Sequence, residues 1–188
     1  MVDVITYYNK KLEKYKNSPK AVGWGNKKSQ EIRFKILTEI GNLKNKIILD
    51  YGCGTGDLYQ FLKKYEIREY VGYDINHKMI ERAIQKYPDG IFRNYLEIER
   101  YDYILISGTF NLKRKNWMKK TFDRLSTLWQ VCRKGMAVNF PTSFSPKKDK
   151  NCYYANPIEI LKFVTTLTKK FVLRHEYKEN DFCLYLLK

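Results

Sequence analysis

Ile47-Ile48-Leu49-Asp50-Tyr51-Gly52-Cys53-Gly54-Thr55-Gly56-Asp57 is the stretch on which the fold turns. Lys46 to Asp50 reads as a short buried strand, apolar until it ends on a carboxylate. Glycines at the carboxyl end of a strand let the backbone approach a ligand closely and turn sharply into a helix, here from about Asp57 to Tyr65. A dinucleotide fingerprint, GxGxxG, would put a third glycine at position 57. The spacing is GxGxG instead, and position 57 is Asp57. A carboxylate in the first turn of that helix stands where pyrophosphate would sit and repels it.

Glu69-Tyr70-Val71-Gly72-Tyr73 reads as a second strand, and Asp74 ends it eighteen residues after Gly56. A carboxylate at that point can accept hydrogen bonds from both hydroxyls of a ribose. Taken together, loop and acid suit a nucleoside cofactor without phosphate and with cationic groups. S-adenosylmethionine, with its sulfonium and amine, meets both demands.

Helical and strand patterns alternate on either side of this region. Residues of about 3–17 and 27–40 read as helices; Ile32, Ile36, Leu37 and Ile40 form one face of the second, with Gly41 as its expected C-terminal cap. Met79, Ile80, Ala83, Ile84 and Tyr87 mark a helix stopped by Pro88-Asp89-Gly90. A weak strand near 91–93 precedes a clear one at Tyr103-Ile104-Leu105-Ile106. Helical spacing then runs from Trp117 to Cys132, and Met136 to Phe140 is the next strand. Asn156-Pro157 opens a helix carrying Ile158, Leu161, Val164 and Leu167. Phe171–Tyr177 and Phe182–Leu187 close the chain as an antiparallel pair. Strand–helix alternation of this kind predicts an α/β fold, a parallel sheet with helices on both faces.

The 188 residues fit one domain that buries a core unaided, with 44% hydrophobic and 30% charged residues. The first ten residues show no signal peptide, and no apolar run is long enough to span a membrane, so a cytoplasmic protein is expected. Four scattered cysteines and two histidines, His77 and His175, give no metal-ligand spacing; reduced thiols and no metal are expected. The net charge of +16 invites a polyanionic partner. Lysine outnumbers arginine, however, whereas bidentate base and phosphate contacts favour arginine.

Ile47–Gly56 resembles motif I of class I methyltransferases, Val71-Gly72-Tyr73-Asp74-Ile75 resembles motif II, and Tyr101–Gly108 resembles motif IV. The resemblance implies a Rossmann-like, mostly parallel seven-stranded sheet of order 3-2-1-4-5-7-6 with strand 7 antiparallel. It spans residues 43–188, under an N-terminal helical lid of residues 1–42. It further implies S-adenosylmethionine as cofactor. Gly52, Cys53 and Gly54 would then line the methionine and ribose portion, Asp74 would bind the ribose, and Ile75 and Met79 would flank the adenine. Asn94 stands in the region that usually meets the adenine amine, and Ser107 would face the methionine portion. Trp24 and Arg33 would close over the methionine end, with Arg33 pairing its carboxylate.

Methyl transfer from a sulfonium needs alignment and dryness more than covalent help, so the acceptor is hard to read. After the fourth strand the chain has Ser107-Gly108-Thr109-Phe110-Asn111. It lacks the Pro-Pro element of base-amine methyltransferases, the nucleophilic cysteine of cytosine-C5 enzymes, and the aspartate of ribose 2′-O enzymes. Phe110, Asn111, Tyr153 and Tyr154 are candidate acceptor contacts, and His175 is a candidate general base. Basic clusters at Lys113-Arg114-Lys115, Lys119-Lys120 and Lys147-Lys148-Lys150 follow the fourth and fifth strands. The expected acceptor is a small polar or acidic molecule under a lid of the N-terminal helices and residues 141–156. The alternatives are a nucleic-acid methyltransferase using the basic clusters and a catalytically silent cofactor-binding partner subunit.

Overall fold

The structure is a computed structural model that describes residues 3–97 and 100–188. Two helices, α1 (Val4–Tyr15) and α2 (Lys27–Thr38), lead into an alternation: β1 (Ile47–Tyr51), α3 (Asp57–Leu62), β2 (Glu69–Tyr73), α4 (His77–Lys86) and β3 (Ile91–Arg93). It continues with β4 (Tyr101–Ile106), α5 (Trp117–Val131), β5 (Cys132–Pro141), α6 (Pro157–Leu167), β6 (Phe171–Arg174) and β7 (Asp181–Leu187). One sheet holds the seven strands in the order β3-β2-β1-β4-β5-β7-β6. β7 runs antiparallel to both neighbours and β1 to β5 are mutually parallel, which is the arrangement expected.

The pleat sorts side chains between two cores. Leu49, Ile104, Ile106, Met136, Val138, Phe140, Phe182 and Leu184 face α5 and α6. Ile48, Tyr103, Leu105, Ala137, Cys183 and Tyr185 face the opposite layer, where α2, α3 and α4 pack. Sequence spacing sets helix entry too: Asn26, Asn76 and Asn156 each cap a helix by accepting a backbone N–H.

Several local readings are corrected. Gly41 is not a left-handed cap; α2 ends on Glu39, and a Cβ at Gly41 would lie 2.6 Å from the Tyr103 hydroxyl, so close approach is what demands glycine. Ile84 and Ile158 are exposed, while Ile160 joins the expected Val164 on the buried face of α6. β5 starts at Cys132, directly on the end of α5. β6 stops at Arg174 because the chain turns Tyr177 inward, where its hydroxyl donates to Asp181. The crossover from β3 to β4 contains no helix among the described residues, unlike the crossovers through α3, α4, α5 and α6.

A candidate ligand cavity at the strand ends

A cavity of about 480 Å³ opens at the carboxyl ends of β1, β2 and β4, the end at which open α/β sheets bind ligands. The glycine loop forms its floor. Gly52, Gly54 and Gly56 all have positive φ, and a Cβ at Gly52 would run into the side chain of Thr109. Backbone N–H groups of Gly52 and Cys53 donate to the Tyr73 carbonyl at 2.7 and 2.9 Å, tying the loop to the end of β2. Asp74 then joins the two motifs: its carboxylate accepts from Gly54 N–H at 2.9 Å and from Asn76 N–H at 2.8 Å.

Three carboxylates line this part of the cavity: Asp50, Asp57 and Asp74. Burial pushes Asp50 up to about 7, against the hydrogen bond from the Tyr70 hydroxyl at 2.7 Å. Burial also raises Asp74, against its two backbone donors. Asp57 pairs with Lys86 and accepts from Gln30 at 2.9 Å. The Cys53 thiol is buried and held well above its ordinary value by desolvation, so it is an inert wall rather than a nucleophile. Ser107 Oγ is buried with no hydrogen-bond partner.

Of the residues singled out from sequence, Trp24, Gly52, Cys53, Gly54, Asp74, Ile75, Met79, Ser107 and Phe110 line the cavity. Others lie elsewhere. Arg33 turns away: its guanidinium donates to Asp181 at 2.9 Å, both side chains being buried, and it stacks 4.7 Å from the Trp24 ring centroid. Asn94 is exposed and does not line the cavity. Asn111, Tyr153 and Tyr154 also lie outside it, as does every residue of 141–156. That segment braces the β4–α5 loop from behind, through Tyr153 N–H to the Asn111 carbonyl at 2.8 Å and the Tyr153 ring stacked 3.9 Å from Trp117. His175 sits beside the Phe144 and Phe182 rings and does not line the cavity.

Sequence reading missed Tyr8, Phe34, Tyr51, Tyr73, Thr109 and Arg124, all of which line the cavity. Some signals were present. Lys120, Arg124 and Thr127 fall on one stripe of α5, flanking the buried stripe of Thr121, Leu125 and Leu128. A second polar network holds the loop after β4. Asn139 accepts from Gly108 N–H at 2.8 Å and donates to Asp181 at 2.9 Å, which Arg33 completes.

Residues 26–134 match a family model described as a methyltransferase domain. Comparison with curated proteins finds no match. Among solved structures the chain is similar in fold to magnesium protoporphyrin IX methyltransferase from Synechocystis PCC 6803 with bound SAH. That likeness has a TM-score of 0.69 at 15% identity and covers 97% of this chain and 94% of that one. It is likewise similar to the N-methyltransferase NodS from Bradyrhizobium japonicum WM9 in complex with S-adenosyl-l-homocysteine, with a TM-score of 0.71, 13% identity, and 98% and 97% covered. A TehB-like SAM-dependent methyltransferase from Corynebacterium glutamicum has a TM-score of 0.66 at 13% identity, with 97% and 99% covered.

Proposed function

Because the chain belongs to the methyltransferase-domain family, we propose that its cavity holds S-adenosylmethionine and that it methylates a small polar or acidic acceptor. The observation that carries this reading is the direct link between glycine loop and Asp74, 2.9 Å from Gly54 N–H to carboxylate, in one cavity. The residues present fit the cofactor. The carboxylates of Asp50, Asp57 and Asp74 suit amine, sulfonium and hydroxyls and oppose phosphate, and Ser107 Oγ awaits a partner. S-adenosylmethionine supplies an electrophilic methyl group when bound.

In this reading Gly52, Cys53 and Gly54 border the methionine and ribose portion, Asp74 takes the ribose hydroxyls, and Ile75 and Met79 flank the adenine. Residues 1–42 act as a lid over the core of residues 43–188. Val4, Tyr8, Val22, Trp24, Gln30 and Phe34 already line the cavity, which favours exclusion of water during transfer. Among the described residues no helix is long and apolar enough to cross a membrane. Four free cysteines support assignment to the reducing cytoplasm.

Calorimetric titration with S-adenosylhomocysteine and with NADH tests the cofactor, and label transfer from methyl-labelled cofactor to small acids or to RNA tests the acceptor. S-adenosylhomocysteine should bind and NADH should not; the reverse result would overturn the reading. Label appearing in RNA would favour the nucleic-acid alternative. Cofactor binding with no transfer to any acceptor would favour a silent partner subunit.

A further inference from the structure

The cavity is divided by charge. Its acidic wall is Asp50, Asp57 and Asp74; a second wall, with an excess of cations, has Arg114 from the β4–α5 loop and Lys120, Asp123 and Arg124 from α5. None of these three cations forms an ion pair among the described residues. Asp123, the acid beside Arg124, is taken by Lys119 at 2.6 Å. Arg114 Nε is buried with no hydrogen-bond partner, and burial pulls that guanidinium below its ordinary value. A buried guanidinium N–H left unpaired is costly, and an anion would satisfy it.

The same wall carries rings. Tyr51 and Tyr73 are register partners on β1 and β2, stacked at 5.0 Å and 24°. Phe110 stacks on Tyr51 at 6.4 Å and 29°. Arg114 lies 5.9 Å from the Phe110 centroid, and Arg124 lies 5.8 Å from that of Tyr51. Guanidinium groups beside a stacked aromatic row form a surface for a flat anion, because arginine pairs oxyanions bidentately and rings stack in offset geometry. A cofactor with a sulfonium, an amine and one carboxylate has a net positive charge, so this wall is poorly matched to it.

Resting on the cofactor reading above, we infer that this basic, ring-lined half is the acceptor subsite and that the acceptor is a small aromatic acid. Its carboxylate or phosphate pairs with Arg114 and Arg124, while its ring lies against Tyr51, Tyr73 and Phe110. Lys120 adds charge at the rim.

The test titrates benzoate, phenyl phosphate, benzamide and cyclohexanecarboxylate into protein saturated with S-adenosylhomocysteine. At least one aryl anion should bind, and benzamide and cyclohexanecarboxylate should bind roughly tenfold or more weakly. Benzoate against phenyl phosphate tells carboxylate from phosphate. Arg114→Gln with Arg124→Gln should weaken the aryl anion by roughly ten- to hundredfold, with S-adenosylhomocysteine affinity kept within about twofold. If the double variant does not fold, Arg124→Gln alone, at an exposed position, carries the same comparison. Benzamide binding as tightly as benzoate, or loss of S-adenosylhomocysteine affinity in a folded variant, would overturn the assignment. Failure of all four probes against cofactor-saturated protein would overturn it while leaving the cofactor reading intact. Failure of the wild type to bind S-adenosylhomocysteine would instead sink the cofactor reading itself.

Discussion

Asp50 lies almost wholly buried beneath the glycine loop, with the Tyr70 hydroxyl as its donor and Asp57 and Asp74 as neighbouring charges. Its carboxyl is raised from 3.8 to about 7. Between those values the folded protein keeps a proton that the unfolded chain has released. Stability therefore falls as pH rises through that window, and the contribution is gone above the folded value. A ligand ammonium group beside it favours the ionised form. S-adenosylhomocysteine affinity should accordingly increase as pH rises through about 7, and Asp50→Asn should flatten both trends. Urea unfolding and calorimetric titration at several pH values check this; unchanged pH dependence in the variant would refute the assignment to Asp50. Asp74→Ala removes the proposed ribose acceptor, with charge-assisted bonds worth about 1.5–3 kcal/mol each, so binding should weaken at least tenfold or so. Equal affinity in variant and wild type would show that Asp74 is not the ribose ligand. Asp74 and the glycines were legible in sequence because backbone spacing and strand ends decide their positions. Arg33 was not. Its partner Asp181 is 148 residues away, and no local pattern announces such a pair.

That pair connects elements rather than residues. Arg33 on α2 meets Asp181 at the start of β7; Asp181 reaches Asn139 on β5, and Asn139 holds the Gly108 N–H after β4. Helix α2 is thereby joined to the loop that borders the cavity, and Arg33 also backs Trp24. Burial raises the Asp181 carboxyl, against the opposing pull of Arg33. Arg33→Met leaves a buried, partly unpaired carboxylate and should cost about 3–5 kcal/mol in urea unfolding. Asp181→Asn added to that variant should recover part of the loss, because the stranded charge is gone. A loss in the double variant equal to the sum of the single losses would show that the residues do not act as a pair. Gly108 tests the far end of the chain of bonds. It has φ +70°, and a Cβ there would lie 2.8 Å from the Trp24 ring. Gly108→Ala should therefore weaken cofactor binding by displacing Trp24, and a variant with wild-type affinity and stability would refute that contact. The strands themselves were legible because apolar runs and a closing pair of strands repeat with clear periods, while their order in the sheet came from the resemblance of motifs I, II and IV. The bracing role of residues 141–156 was not, because it rests on backbone pairing between two irregular segments, Leu112 opposite Cys152.

Over the whole molecule, 36 lysines and arginines against 20 acids give a net charge of +16. Two kinds of cation make up that excess. Lys113, Lys115, Lys147, Lys148 and Lys150 are exposed, whereas Arg114 is partly buried and lines the cavity. Exposed charges act on a polyanion through release of its counterions, so their effect falls steeply with salt. Charges in a partly dry cavity are screened much less. RNA binding, if measured at 50 and 200 mM salt, should therefore weaken by orders of magnitude. S-adenosylhomocysteine affinity, which depends on the glycine loop and Asp74, should change by no more than about twofold over the same range. Label from the cofactor should not enter RNA at either concentration, since the cavity accommodates a small ligand under the N-terminal helices and those five exposed lysines lie outside it. RNA binding that resists salt and is accompanied by labelled RNA would place the polymer in the cavity and refute the small-acceptor reading. Salt-sensitive binding without label would instead identify the exposed lysines as a sequence-independent electrostatic surface.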